Sequence, residues 1–127
     1  MKKALASSGL TENDIDYVNA HGTGTVNNDA SESAALRRVF SDRMPPVSST
    51  KAFTGHTTSA SGAIESVFCL LAIQENFLLP QINFTTPDPA CVIPTAGGDR
   101  TIDHILCNSF GFGGNDSSLI LSRYVRQ

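Results

Sequence analysis

Two histidines and one phenylalanine occupy glycine-flanked positions at the ends of predicted elements, where functional side chains are usually mounted. His21 opens the run His-Gly-Thr-Gly-Thr, His56 follows a glycine, and Phe112 stands between two glycines. Histidine suits such a site because a hydrogen bond at one ring nitrogen fixes the proton on the other. Glycine lets the backbone approach a bound group closely. A lone histidine is more often a structural residue, but the shared setting favours a functional site.

The N-terminal elements must deliver His21 to its loop. Lys2–Ser8 is predicted to be the end of a helix, with Gly9 in the left-handed position beyond it. Ile15–Ala20 is predicted to be a short strand that runs directly into His21. The histidine is therefore expected at the end of a strand.

A second helix is predicted from Asn28, whose side chain can cap it, with Asp29 in the first turn. Leu36 and Phe40 recur at helical spacing and mark the apolar face of this helix. Glu32 falls on that same face. It is interpreted either as a solvated or capping acid or as the partner of a buried cation, and both interpretations stay open.

The middle of the chain is predicted to hold Lys51 and His56 between two elements. Val47–Ser49 forms a short strand after two prolines. A helix over about Ser59–Glu75 has apolar residues on every side of its second half, so we expect it to be buried between layers. Four prolines in Leu79–Ala96 predict an extended surface connector.

The C-terminal part is predicted to be an antiparallel hairpin. Ile105–Phe110 and Ser117–Tyr124 have strand patterns and flank a glycine-rich loop over Gly111–Asp116. The alternation of strands and helices therefore predicts an α/β or layered α+β fold. We expect a mixed sheet of about five strands around a buried central helix, in a single domain over residues 1–127.

Composition excludes several classes of function. Nine basic residues and a net charge of -3 provide no basic patch for nucleic acid. The longest apolar run is far shorter than a membrane span and no secretory stretch opens the chain, so we expect a cytoplasmic protein with no membrane partner. Three widely spaced cysteines predict reduced thiols and no metal site.

Five ordered motifs resemble the β-ketoacyl-acyl carrier protein synthases that elongate fatty acids and polyketides. They are VNAHGTGT at Val18–Thr25, the acids Asp29 and Glu32, SSTKAFTGH at Ser48–His56, SASGAIE at Ser59–Glu65, and NSFGFGG at Asn108–Gly114. The order and spacing of these motifs match the family over nearly the whole chain.

The resemblance implies a thiolase-like fold of two similar halves, of which this chain resembles the C-terminal half. In that family the nucleophilic cysteine belongs to the N-terminal half. None of Cys69, Cys91 and Cys107 stands where it could replace that nucleophile, so they are interpreted as buried or incidental thiols. The isolated chain is therefore expected to be inactive.

By the same resemblance, His21 and His56 are the histidine pair of an acyltransferase that joins malonyl and acyl thioesters by decarboxylative Claisen condensation. Lys51 resembles the family lysine beside them, and Glu65 resembles its carboxylate partner, with a supporting role. Asp29 and Glu32 are further supporting acids of the motif.

Three further features follow from the resemblance. Thr23 and Thr25 are expected to bind the pantetheine arm of a carrier protein or simply to cap their turn. The loop that includes Phe110 and continues through Gly111, Phe112, Gly113 and Gly114 is expected to provide an oxyanion-hole N–H and a gating ring at Phe112. Asn115-Asp116 departs from the family pattern, which more usually has a small or polar residue followed by Asn.

The implied partners are the N-terminal half of the synthase, an acyl carrier protein and a second subunit in a homodimer or heterodimer. No cofactor is implied, because the substrates are carried on phosphopantetheine. Two alternatives remain: a non-catalytic subunit resembling a chain-length factor, and a thiolase-related fragment. The retained histidines and lysine speak against the first, and the phenylalanine in the last glycine loop speaks against the second.

Overall fold

A four-stranded mixed sheet forms the centre of the fold in the computed structural model, which describes residues 1–124. The strands are β1 (Tyr17–Asn19), β2 (Val47–Ser48), and the long hairpin strands β5 (His104–Gly111) and β6 (Asn115–Ser122). Their order is β2-β1-β5-β6, with β1 parallel to both neighbours and β5 antiparallel to β6. The prediction of a mixed α/β sheet with a C-terminal hairpin is confirmed.

Two strands remain outside this sheet, which explains the difference from the expected five. β3 (Phe77–Leu78) and β4 (Gly98–Asp99) form a separate antiparallel pair. They enclose the connector over residues 79–97, which has no regular structure, as its prolines predict.

Helices cover both faces of the main sheet. On one face α1 (Lys2–Ser8) and α2 (Val26–Phe40) pack on side chains of β1 and β5 such as Val18 and Leu106. On the other face α4 (Ser61–Glu75) packs on Tyr17, Ile105 and Cys107. The short helix α3 (Lys51–Thr54) connects β2 to α4. Because strand side chains alternate between faces, β1 and β5 contribute to both cores.

The outer side of α4 is not covered by any part of residues 1–124. Cys69, Ala72 and Ile73 are buried against the sheet, whereas Val67, Leu70 and Leu71 are about half exposed. The sequence predicted that α4 would be buried between two layers. Within residues 1–124 only one sheet packs against it, so this burial is on one side. None of the described helices is long and apolar enough to cross a membrane.

Among the predicted boundaries that differ from the structure, two lie beside the histidines and the glycine loop. Helix α2 begins at Val26 after Thr25 and not after Asn28, because the Asp29 carboxylate reaches back to accept the N–H of Gly24 at 3.2 Å. The hairpin turn comprises only Phe112–Gly114, and Asn115 and Asp116 already pair in β6. Polar residues are tolerated there because β6 is an edge strand.

Candidate active site

His21 lies immediately beyond the carboxyl end of β1, where only 6% of its surface is exposed. Gly22 follows with φ 47°, and a Cβ atom there would lie 2.5 Å from the Cβ of Ser49. Glycine is therefore required both for the left-handed backbone and for the close approach of the two loops.

Glu32, in helix α2, holds this turn through hydrogen bonds. Its carboxylate accepts the backbone N–H groups of His21 and Gly22, each at 3.0 Å, and the side-chain amide of Asn108 at 3.0 Å. Burial raises the pKa of Glu32, and these hydrogen bonds oppose that effect. Both interpretations from the sequence were wrong: Glu32 is a buried anchor for backbone amides, neither a solvated or capping acid nor the partner of a cation.

The ring of His21 faces Lys51. Lys51 Nζ lies 3.3 Å from His21 Nδ1, and because an ammonium group has only donors, Nδ1 must accept and the proton must be on Nε2. Burial lowers the pKa of His21 to about 4, with further lowering from Lys51 and His56 and an opposite effect from Asp116 and Asp29. The imidazole is therefore neutral at pH 7.

His56 lies close to His21 with the same tautomer. The backbone N–H of Thr58 donates to His56 Nδ1 at 3.1 Å, which leaves the proton on Nε2. The two ring centroids are 5.6 Å apart and the ring planes are nearly perpendicular, at 85°. His56 is exposed in this chain. The pair thus presents two neutral Nε2–H donors, one buried and one open to an incoming group.

Lys51 and Glu65 form a buried ion pair beside the histidines. Lys51 Nζ donates to Glu65 Oε1, and the two side chains are only 5% and 2% exposed. The Ser61 hydroxyl donates to the same oxygen at 3.1 Å. The pairing of Lys51 with Glu65 is therefore present, and their supporting role stays a prediction.

The aromatic residues of the hairpin take different positions. The ring of Phe110 lies 5.6 Å from that of His21. Phe112 is fully exposed at the tip of the turn, followed by Gly113 and Gly114 at φ 83° and 79°. In this chain Phe112 is not a static core residue. Its gating and oxyanion roles stay predictions.

The remaining predicted residues lie around the His21 turn. The hydroxyls of Thr23 and Thr25 are 3.0 Å apart, and Asp29 binds the N–H of Gly24 between them. Both threonines are partly or fully exposed, so neither hydroxyl is withheld from a ligand.

The cysteines have the environments of structural thiols. Cys69 and Cys107 are buried in one core, where the amide of Asn19 donates to Cys69 Sγ at 3.4 Å. A hydrogen bond with Cys69, together with burial, raises the pKa of Cys107. Cys91 is half-buried in the connector. Within residues 1–124, no three His, Cys, Asp or Glu side chains are grouped to hold a metal ion.

Three polar residues of this network were not identified from the sequence. Asn108 binds Glu32 and accepts the Ser118 hydroxyl at 2.8 Å, and Ser61 binds Glu65. Ser61 and Glu65 are four residues apart, a helical spacing that could have suggested their contact. Ser118 carries no such signal, because its link to Asn108 depends on the register of β5 and β6.

The mixed sheet with helices on both faces is that of a thiolase-like domain, and the histidine pair and the buried Lys-Glu pair lie at one end of its strands. The chain belongs to the β-ketoacyl synthase family: residues 1–85 match the family model of the beta-ketoacyl synthase C-terminal domain.

Among its relatives are the 3-oxoacyl-[acyl-carrier-protein] synthase 2 of Coxiella burnetii, 42% identical over 97% of this chain and 31% of that protein, and the synthase 1 of Haemophilus influenzae, 41% identical over 98% of this chain and 31% of that protein. A solved β-ketoacyl synthase from Burkholderia phymatum is 40% identical, with a TM-score of 0.91 over 98% of this chain and 31% of that chain. The ishigamide ketosynthase/chain length factor is 37% identical, with a TM-score of 0.93 over 98% of this chain and 32% of that chain. This chain thus spans about a third of the length of its relatives.

Proposed function

We propose that this chain is the C-terminal part of a 3-oxoacyl-[acyl-carrier-protein] synthase and supplies the two histidines of its decarboxylative condensation. The observation that carries the proposal is the tautomer of both rings. Lys51 and the backbone N–H of Thr58 donate to the Nδ1 atoms of His21 and His56, which leaves the proton of each ring on Nε2. In the proposed reaction both Nε2–H groups donate to one oxygen.

The chemistry places negative charge where these donors would act. Loss of carbon dioxide from a malonyl thioester leaves the electron pair of the broken C–C bond in an enolate, whose charge lies on the thioester oxygen. Two N–H donors preorganised around that oxygen stabilise the charge as it develops, by roughly 3 to 4 kcal/mol for each donor. The carbanion then attacks the carbonyl of an acyl-cysteine thioester, a C–C bond forms and the cysteine thiolate leaves. That cysteine would belong to the remaining part of the synthase.

Other residues of the site support these steps. A neutral His21 is essential, because an imidazolium ring would donate its Nδ1 proton toward the Lys51 ammonium group. Burial and then the Lys51 ammonium group lower the pKa of His21 and keep the ring neutral, and Lys51 also fixes its tautomer. Glu65 pairs with Lys51. The backbone N–H of Phe112 would stabilise the oxyanion at the acyl carbonyl, and its ring would control entry to the acyl pocket. Thr23 and Thr25 would bind the pantetheine arm. No cofactor is required by this chemistry.

The proposal requires an acyl carrier protein and the remaining part of a synthase as partners, with a second subunit in the complete enzyme. Two solved neighbours support such partnering: one is a ketosynthase in complex with its acyl-carrier protein, and another is a ketosynthase in complex with its chain length factor. A purely structural subunit would not need two neighbouring histidines that both leave their Nε2–H groups as donors, which favours the catalytic role.

The test compares His21→Ala and His56→Ala in a synthase assembled from this chain and the remaining part of the enzyme. Each substitution should slow release of carbon dioxide from malonyl thioester by roughly two to three orders of magnitude, the usual cost of one lost oxyanion donor. Transfer of the acyl group to the cysteine should suffer less. His104→Ala, at the first residue of β5, is the matched control for the loss of an imidazole.

Normal decarboxylation by a correctly folded His21→Ala enzyme would contradict the proposal. The chain alone should form no acyl adduct, because covalent capture requires an activated thiolate. Intact-mass measurement after incubation with an acyl thioester checks this, and a stoichiometric adduct on any cysteine would refute it.

A further inference from the structure

Ser61 makes a buried polar contact to which the roles described above assign no function. It is the first residue of α4 and only 6% of its surface is exposed. Its hydroxyl donates to Glu65 Oε1, the oxygen that also accepts Lys51 Nζ. The second oxygen of Glu65, Oε2, is buried and has no hydrogen-bond partner among the described residues. All the directional contacts of this carboxylate therefore converge on one oxygen.

We propose that Ser61 is a positioning residue: its hydroxyl fixes the Glu65 carboxylate in the orientation that keeps the Lys51 ammonium group against His21 Nδ1. Its link to catalysis rests on the proposed function of His21. The positioning itself is a property of this chain and can be measured without any reaction.

A carboxylate is a symmetric group. Its two oxygens are equivalent, so a single ammonium partner allows it to rotate and pair through either oxygen. A second donor in a fixed place removes that freedom. Ser61 is such a donor, because it lies one helical turn before Glu65 on the same side of α4. Burial of both Lys51 and Glu65 leaves little water to replace the contact.

A second serine in the same helix shows what an ordinary helical hydroxyl does. Ser66 donates to the backbone oxygen of Gly62, four residues earlier, at 2.7 Å. This back-bonding is common in helices and carries no information about the site. Ser61 instead uses its hydroxyl on a buried charge. The two serines therefore form a matched pair for substitution.

The consequence appears at His21, which several charged groups surround. Burial disfavours its protonated form most, followed by Lys51 from α3 and His56 from the next loop, whereas Asp116 from β6 and Asp29 from α2 favour it. If the Lys51 ammonium group withdraws, the two carboxylates are less opposed, so His21 binds a proton more readily. The Nδ1 atom also loses its donor, so the two neutral tautomers become closer in energy.

The experiment reads both effects by long-range proton–nitrogen NMR correlation on the ¹⁵N-labelled chain. We compare the wild type with Ser61→Ala, with Ser61→Thr, which keeps the hydroxyl, and with the control Ser66→Ala. The wild type, Ser61→Thr and Ser66→Ala should show the Nε2–H tautomer of His21 at pH 7. Ser61→Ala should show mixed tautomers, and its His21 should protonate about half a pH unit or more above the wild type.

A Ser61→Ala spectrum identical to the wild type at His21, with unchanged amide shifts in β1 and β5, would overturn the proposal. Failure of folded Ser61→Thr to restore the wild-type signal would overturn it equally. If Ser61→Ala does not fold, Ser61→Cys offers a similar volume with a weak donor. It should show the same changes to a smaller degree, and wild-type behaviour would count against the positioning role.

The outcome is separable from that of the proposed function. If Ser61→Ala leaves His21 unchanged while His21→Ala abolishes decarboxylation in the assembled synthase, only the positioning role fails. If Ser61→Ala changes the His21 signals while His21→Ala retains full activity, only the catalytic proposal fails.

Discussion

Acid should destabilise this chain specifically through His21. The folded state holds the pKa of His21 at about 4, below the value of 6.5 that the ring has when it is exposed. The unfolded chain therefore binds a proton at a pH where the folded chain does not. The neutral ring contributes fully to the free energy of unfolding above about pH 6.5, and this contribution is lost as the pH falls toward 4.

The magnitude follows from the difference between the two pKa values, 6.5 and about 4. Each unit of difference corresponds to about 1.4 kcal/mol, so the free energy of unfolding should fall by about 2 kcal/mol between pH 7 and pH 5. The loss should reach about 3 kcal/mol at pH 4. Only 6% of the His21 surface is exposed, so screening by solvent does not remove the effect.

Urea unfolding at pH 7, 6, 5 and 4 measures this loss, and His21→Gln isolates it from the titration of other groups. Between pH 7 and pH 5, the free energy of unfolding of the wild type should fall by about 2 kcal/mol more than that of His21→Gln. His104→Gln, on the half-buried histidine of β5, controls for the loss of an imidazole. Parallel pH profiles for the wild type and His21→Gln would refute the assignment of a neutral, buried His21.

Three further outcomes are expected. Glu32→Gln should cost about 2 to 4 kcal/mol in urea unfolding, because an amide nitrogen would meet the N–H groups that the carboxylate accepts. Its control is Asp103→Asn, which removes one partner of the half-exposed ion pair with Arg123 and should cost less than about 1 kcal/mol. Equal losses in Glu32→Gln and Asp103→Asn would contradict the role of Glu32 as a buried anchor. Phe112→Ala should change the free energy of unfolding by less than about 0.5 kcal/mol, because the ring is fully exposed. A calorimetric scan measures this change. A loss near that of a core phenylalanine would show that the ring is packed. Replacing Leu70 and Leu71 together by serine should reduce hydrophobic-dye binding and self-association of the chain, and unchanged sedimentation and dye binding would argue against a role for this face.

The order of elements was predictable because each has a strong local pattern. The apolar run before His21 ends at glycines, which placed the histidine at a strand end, where it lies. The apolar residues of the predicted helix over about Ser59–Glu75 indicated α4 correctly, within two residues of its start. The pairing of Lys51 with Glu65 came from the family resemblance and not from the residues, since nothing in their spacing requires contact.

The interactions that sequence reasoning missed involve partners without a local pattern. Glu32 binds the backbone amides of His21 and Gly22, and a backbone N–H has no residue type by which it can be recognised. The start of α2 was misplaced for a similar reason: Asn28 is a favourable cap in isolation, but Asp29 binds the turn before the helix. The capping preference of Asn28 is a local property, whereas the contact of Asp29 with Gly24 exists only in the folded loop.

The Asn108 side chain joins the hairpin to the histidine turn, since it binds Glu32 through its amide nitrogen and Ser118 through its oxygen. This link makes the alignment of β5 with its neighbours a determinant of the site. A slip of one residue in β5 would turn Asn108 to the α4 face and bring Cys107 or Ser109 toward Glu32. The amide donates to Glu32 from its nitrogen and accepts from Ser118 at its oxygen, two separate atoms at the end of the side chain. A thiol or a hydroxyl has a single polar atom on a shorter side chain, so it cannot span both partners in the same way. Insertions and deletions within β5 should therefore be far less tolerated than in the three-residue turn at its end, even where both leave the hydrophobic core intact.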